Sequence, residues 1–448
     1  MIYLQYFIGN KMTMMKYAKT LGHFGCFLLL FHVSHAKSNG LDSSATAKYT
    51  KEIADLEKKP KVKKAFEYIL ALEPETQANH ILLTEIPAPP FKEAARGKQY
   101  AEMLGKLSVD SIWMDAAGNV IAKRKGTVGG RTILIEGHLD TVFPEGTDVN
   151  VHSKGDTLAA PGIGDDTRAL TVLLTLLKAM NQADIKTKAD VLFVGSVGEE
   201  GQGDLRGMKQ LFEKDGLKID AHIGLDGTGT DRIVNRGVGS HRYHIAYKST
   251  GGHSYGSFGM VNTHVALGKA INYWSIDAEK YVANPGPKTT YSVSVIGGGT
   301  SVNSIPFESW MEVDMRSESD ERLQQMDAYL QSALQKALKE VNDSKKRGED
   351  MTLEVKMMGD RPSGGIDIQA PLVQRMMAVI ERTGDKPKLS ASSTNANVPL
   401  SLGIPSITIG SGGVAGGAHA LGEWFINKDG YLGIQNALLI LLAEAGID

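Results

Sequence analysis

Glu199 and Glu200 close the stretch VLFVGSVGEEGQGD, and two adjacent carboxylates can divide a hydrolytic task, one binding a cation while the other takes a proton from water. Acidic pairs are also ordinary on solvated surfaces, so this one carries weight only through its company. Four further stretches offer metal-ligand residue types at the ends of apolar runs or in Gly-rich turns. RTILIEG runs into His138-Leu139-Asp140. Residues two apart leave a strand on the same side, so Asp140 can accept a hydrogen bond from one ring nitrogen of His138 while the other nitrogen meets a cation. PGIGDDTRA carries Asp165 and Asp166 ahead of a helical run. Asp166 stands where a helix N-cap belongs, and Asp165, one residue further out, is the candidate ligand. AHIGLDG ends in Asp226, and the Gly-rich SGGVAGGAHALGEW holds His419 near the C-terminus. Together these residues indicate a two-metal hydrolase.

The elements that must position them follow from the apolar pattern. Val191 to Val197 has the composition of a strand buried on both faces, and Leu170, Leu173, Leu174, Leu177 and Met180 mark a buried helix after Asp165. Strand, helix, strand, helix, strand predicts an α/β fold with a mostly parallel sheet flanked by helices. Such sheets gather ligands beyond the carboxyl ends of their strands, where His138, Glu199, Glu200 and Asp226 fall. From His241 the texture changes: HRYHIAY, VNTHVALGKAINYWSI, TTYSVSVIGG, SWMEVDMRS, DERLQQMDAYLQSALQKALKEV and MTLEVKMMG read as β-α-β-β-α-β. That order predicts an inserted ferredoxin-like α+β domain over 241–358, splitting a catalytic domain into 45–240 and 359–448.

The chain of 448 residues is long enough for two domains, and a formal net charge of -2 leaves no basic surplus for nucleic acid. Lys16 and Lys19 precede the apolar FGCFLLLFHV and then Ser34-His35-Ala36, which reads as a secretory signal over 1–36. A start at Met14 or Met15 suits such a signal better. The expected location is periplasmic or secreted, with no membrane attachment after cleavage. The one cysteine, Cys26, lies inside the apolar run, so the mature chain would hold any metal by His, Asp and Glu alone.

GHLDTVF (137–143), PGIGDDTRA (161–169), GEEGQGD (198–204), GLDG (224–227), GGHSYGSFGMVNTHVAL (251–267), NSIP with DMR (303–306, 314–316) and GGAHALGEW (416–424) resemble, in order, the motifs of the co-catalytic di-zinc exopeptidases and amidohydrolases. That family includes carboxypeptidase G, peptidase T, aminoacylase, acetylornithine deacetylase and succinyl-diaminopimelate desuccinylase. The resemblance implies a zinc-exopeptidase-like fold and two Zn2+ per subunit, with Co2+ or Mn2+ as substitutes. It assigns His138 and Asp226 to one ion, Glu200 and His419 to the other, and Asp165 as the bridge. Glu199 would be the general base and Asp140 the partner of His138. The inserted domain would form a homodimer and close as a lid, with His253 reaching the partner's site. Arg361 and Asn303 would bind a substrate carboxylate. Thr167-Arg168 and Asn395 depart from the residues many members carry, so substrate preference is not transferable from any one relative.

Three functions are compatible with this reading. The first is a secreted exopeptidase for di- and tripeptides. The second is an N-acyl amino acid amidohydrolase or glutamate-type carboxypeptidase. The third is a non-catalytic binding protein on the same fold, because fold alone does not decide function.

Overall fold

The computed structural model describes residues 44–448, and the signal segment expected over 1–36 lies outside the described residues. A nine-stranded sheet carries the site. Its middle is parallel: Asp190–Ser196, Thr132–His138, Ala221–Leu225 and Ser406–Ile409 lie side by side in that order. These strands are mostly apolar and buried, as strands covered on both faces are, and the polar residues they do carry are paired: Glu136 lies 3.3 Å from His222, whose other ring nitrogen meets Ser406 Oγ at 2.6 Å. Val120–Arg124 and Ser111–Met114 extend one side antiparallel, while Arg232–Gly237 extends the other.

Register then does the positioning. His138 pairs with Ser196, and Leu225 pairs with Ile409, so the four parallel strands end at one edge. The residues that follow each strand emerge together there. The helix Thr167–Gln182 packs its Leu170, Leu173, Leu174 and Leu177 into the main core, each side chain contributing roughly 1.5–3 kcal/mol on burial. It approaches the His138 strand closely: a Cβ on Gly137 would meet the Ala169 Cβ at 2.7 Å. Only glycine permits that contact, and the contact brings the Asp165 turn onto the strand end.

A second sheet spans Gly239 to Arg361. Its strands Thr289–Gly298, Glu308–Ser317, Gly239–Lys248 and Thr352–Arg361 lie antiparallel in that spatial order, the arrangement of a ferredoxin-like module. Two helices cover one face, Thr263–Val282 and Asp320–Ser344. Asn262 caps the first by accepting the N–H groups of His264 and Val265, and Ser319 caps the second by accepting that of Arg322. Leu323, Met326, Leu330, Leu334 and Val341 recur at helical spacing and meet Trp274, Met311 and Ile245 in a separate core. Arg361, which the sequence placed after this module, is the last residue of its final strand and pairs with Ser240. No helix among the described residues is long and apolar enough to cross a membrane.

Candidate metal centre

Five of the residues singled out above meet beyond the carboxyl ends of the parallel strands. His138 Nε2 lies 3.0 Å from Asp165 Oδ1. His419 Nε2 lies 3.1 Å from Glu200 Oε1 and 3.3 Å from Asp165 Oδ2. Donor atoms of His138, Asp165 and Asp226 fall within 4.8 Å of one another, as do those of Asp165, Glu200 and His419. His138, Glu199 and Glu200 form a third set within the same limit, and Asp165 is shared by the first two trios. His419 comes from a Gly-rich loop and itself adopts a left-handed φ of 65°, an uncommon conformation for a residue with a Cβ.

Two local expectations are corrected. The His138 Nδ1–H donates to the backbone carbonyl of Asp140 at 2.9 Å, while the Asp140 carboxylate stays 3.7 Å away. That carboxylate instead accepts the backbone N–H of Glu199 at 3.1 Å and of Glu200 at 2.8 Å. It thus sets the turn that presents the acidic pair. Asp166 occupies the N-cap position, yet its side chain accepts the His138 N–H at 3.1 Å and caps nothing.

The electrostatics are those of a site short of positive charge. Burial, together with the neighbouring carboxylates, pushes Asp226 up to about 6 and Asp166 well above the usual carboxylate range. Burial also raises Glu199 well above that range, against the pull of Arg361. For His138, burial opposes protonation, but Asp165, Asp166 and Asp140 outweigh it and raise the imidazole well above its ordinary value. Hydrogen bonds to Asp165 and Glu200 raise His419 to about 10. Crowded acids that hold protons, or draw them onto imidazoles, are what a polyvalent cation relieves. The donor set suits such a cation, since imidazole nitrogens and carboxylate oxygens supply every ligand without thiolate.

Asp165, Glu199, Glu200, Asp226 and His419 line a cavity of about 440 Å3, with His138 buried behind them. Its wall includes Arg232, Arg242, Arg316 and Arg361, with Ser392 and Ser393. Arg361 is buried rather than solvated. Its guanidinium lies 3.4 Å from Glu199 Oε1, donates to the Glu199 backbone carbonyl, and reaches Ser393 Oγ at 3.1 Å. In this structure it therefore holds the acidic pair rather than standing free for a substrate carboxylate. Arg242 and Arg316 reach the cavity from the second sheet, sharing Asp314 at 2.9 and 2.8 Å. Arg242 also donates to the carbonyl of Gly201, next to Glu200, at 2.9 Å.

His253 and Asn303 do not line this cavity. They lie together elsewhere on the inserted module, where Gly252–His253 pairs with Ser304–Ile305 and the Ser254 N–H donates to the Asn303 carbonyl at 2.8 Å. His253 Nδ1 accepts the N–H groups of Tyr255 and Gly256 at 3.3 and 3.2 Å, and the residue is exposed. Sequence reasoning assigned no role to Arg242, Arg316 or Glu423. Arg316 and Glu423 stand inside motifs quoted above, DMR and GGAHALGEW, whereas nothing local marks Arg242.

The sequence pattern of Peptidase family M20/M25/M40 matches residues 134–442, the span that holds every residue of the two trios. The chain belongs to this family. As a member of Peptidase family M20/M25/M40 it is a metallohydrolase acting on amide bonds, which sets aside the non-catalytic reading. Over 119 residues it is 34% identical to a Pyrococcus abyssi protein named as a LysW-lysine/LysW-ornithine hydrolase; the match covers 27% of this chain and 32% of that protein. Among solved structures, a Staphylococcus aureus tripeptidase superposes with a TM-score of 0.67 at 19% identity, over 83% of this chain and 99% of that one. A Bacillus subtilis dinuclear metal-binding peptidase of the M20 family does so with a TM-score of 0.60 at 18% identity, over 84% and 99%. At these identities the structural likeness speaks for the fold.

Proposed function

We propose that this chain is a di-zinc exopeptidase that hydrolyses di- and tripeptides, with Glu199 as its general base. The observation that carries the proposal is the sharing of Asp165 between two donor trios, with Glu199 beside them on the cavity wall. His138 and Asp226 would hold one Zn2+, Glu200 and His419 the other, and Asp165 would bridge them; Co2+ or Mn2+ suits the same donors. Two such cations, when bound, lower the pKa of water toward about 7 and supply a Lewis acid for the carbonyl oxygen.

The chain's own residues do the rest. Glu199 takes the proton from the attacking water and returns it to the leaving amine. Arg361 at its carboxylate fixes its direction and favours its ionised form. With Nδ1 accepting two backbone N–H groups, the neutral His253 ring carries its proton on Nε2, a donor suited to an oxyanion. Because that ring lies outside this chain's cavity, the reading includes a homodimer through the inserted module, with His253 and Asn303 serving the partner's site. Export to the periplasm or beyond is supported by the segment ending at Ala36, and N-terminal sequencing of exported protein should begin at Lys37.

Glu199→Gln tests the core of this reading. A tripeptide assay should show a fall of about 10²–10⁴-fold in kcat, with two equivalents of metal retained by elemental analysis. Activity near that of the unaltered enzyme would remove Glu199 as the base.

Arg242 and Arg316 on the cavity wall favour a second reading, an N-acyl amino acid amidohydrolase or glutamate-type carboxypeptidase, because guanidinium pairs suit a substrate carboxylate. Free-amine tripeptides assayed against N-acyl amino acids separate the two.

A further inference from the structure

Glu423 lies in the motif of His419 but belongs to neither donor trio. Its side chain is 1% exposed, and among the described residues it forms no ion pair. Its carboxylate is instead saturated by backbone donors of one loop. Gly162 N–H reaches Oε2 at 2.8 Å, Gly164 N–H reaches Oε1 at 2.7 Å, and Asp165 N–H reaches Oε1 at 3.0 Å. The loop has no slack against it, since a Cβ on Gly164 would stand 3.1 Å from Oε1 and 2.8 Å from the Ala415 Cβ.

The other side of the loop is held as well. His80 Nε2–H donates to the Ile163 carbonyl at 2.6 Å, and the Thr167 hydroxyl to the Gly162 carbonyl at 2.9 Å. Beyond Glu423 the strand Trp424–Ile426 pairs with Thr157–Ala159, so the chain before the Asp165 turn and the chain after His419 run in one ladder. A buried carboxylate that accepts three N–H groups is a strong, directional joint, and losing it would leave three backbone donors without their acceptor.

We propose that Glu423 is a positioning residue that locks the Asp165 loop to the His419 loop, so that the two donor trios form as one unit and two metal ions bind cooperatively. The inference rests on the two-metal reading above. Its chemistry is that of a support held behind the ligands: Glu423 touches no substrate, and it acts through Asp165 and His419.

The test is a Co2+ titration of metal-free protein followed by visible absorption and calorimetry, on the full chain and on Glu423→Gln and Glu423→Asp. The unaltered chain should take two ions in a single cooperative step. In Glu423→Gln, where an amide group replaces one acceptor oxygen, the step should split into two with affinity about 10–100-fold weaker. Glu423→Asp, which keeps the charge and both acceptors, should restore part of the cooperativity. The thermal midpoint of the metal-free Gln variant should stay within a few degrees of the parent's. The inference is overturned if Glu423→Gln takes two ions in one step with parental affinity, or if it loses metal-free stability while its affinity is unchanged. Uptake of fewer than two ions by the unaltered chain would sink the two-metal reading itself, and this inference with it.

Discussion

Asp140→Asn is the sharpest test of how the acidic pair is presented. The Asp140 carboxylate is fully buried and accepts two backbone N–H groups, from Glu199 at 3.1 Å and Glu200 at 2.8 Å. Asparagine has the same shape but one acceptor oxygen, so one N–H loses its partner and faces an amide donor instead. A hydrogen bond to a charged acceptor is worth about 1.5–3 kcal/mol, and the abandoned buried N–H costs a similar amount unless the turn shifts to relieve it. If the turn shifts, the loss appears in function: about 2–3 kcal/mol corresponds to roughly a 30- to 150-fold fall in kcat/KM. His138 should be spared, because its ring N–H is held by the backbone carbonyl of residue 140, which the substitution keeps. The assay is steady-state peptide hydrolysis beside a metal titration. The fall should lie mainly in kcat, with weakened binding at the Glu200 and His419 side. Kinetics within about threefold of the parent, or metal lost first from the His138 side, would refute the reasoning.

Three further outcomes are expected. Burial, reinforced by the nearby Arg168 guanidinium, pushes His80 down to about 3, so the folded chain keeps the ring neutral while the unfolded chain protonates it below about pH 6.5. Stability should therefore be lost as pH falls through the window from about 6.5 to 3, by about 2 kcal/mol at pH 5, and urea unfolding of His80→Gln should show a correspondingly flatter dependence. Arg242→Ala removes the donor to the Gly201 carbonyl beside Glu200 and should lower kcat/KM about tenfold; unchanged kinetics would show that this link between the inserted module and the catalytic turn is idle. Chelation should lower the thermal midpoint and abolish hydrolysis together, since free metal at about 100 times its Kd contributes about 2.7 kcal/mol to the folded state, and re-addition should restore both.

The fold was legible where pattern and period coincide. The aliphatic runs before His138, Glu199 and Asp226, the helix after Asp165, and the β-α-β-β-α-β order of the inserted module are all local statements about burial, and local composition records burial directly. The ligand-type residues were legible for the same reason, because each stands where an apolar run or a glycine turn ends. What the chain's order does not carry is which atom each side chain reaches. The nearest neighbours in sequence suggest partners for Asp140 and Asp166, yet both carboxylates accept backbone N–H groups brought alongside by the parallel sheet. The resemblance assigns Arg361 to a substrate carboxylate, and nothing in the local sequence shows that the pairing of Gly239–Lys248 with Thr352–Arg361 also sets it against Glu199. Arg242 and Glu423 escaped because their partners, Gly201 and the Gly162–Asp165 turn, lie 41 and about 260 residues away along the chain. Residue types and periodicity determine which elements form and what chemistry is on offer. Hydrogen-bond partners across such separations depend on strand register and loop packing, and only the folded chain decides those.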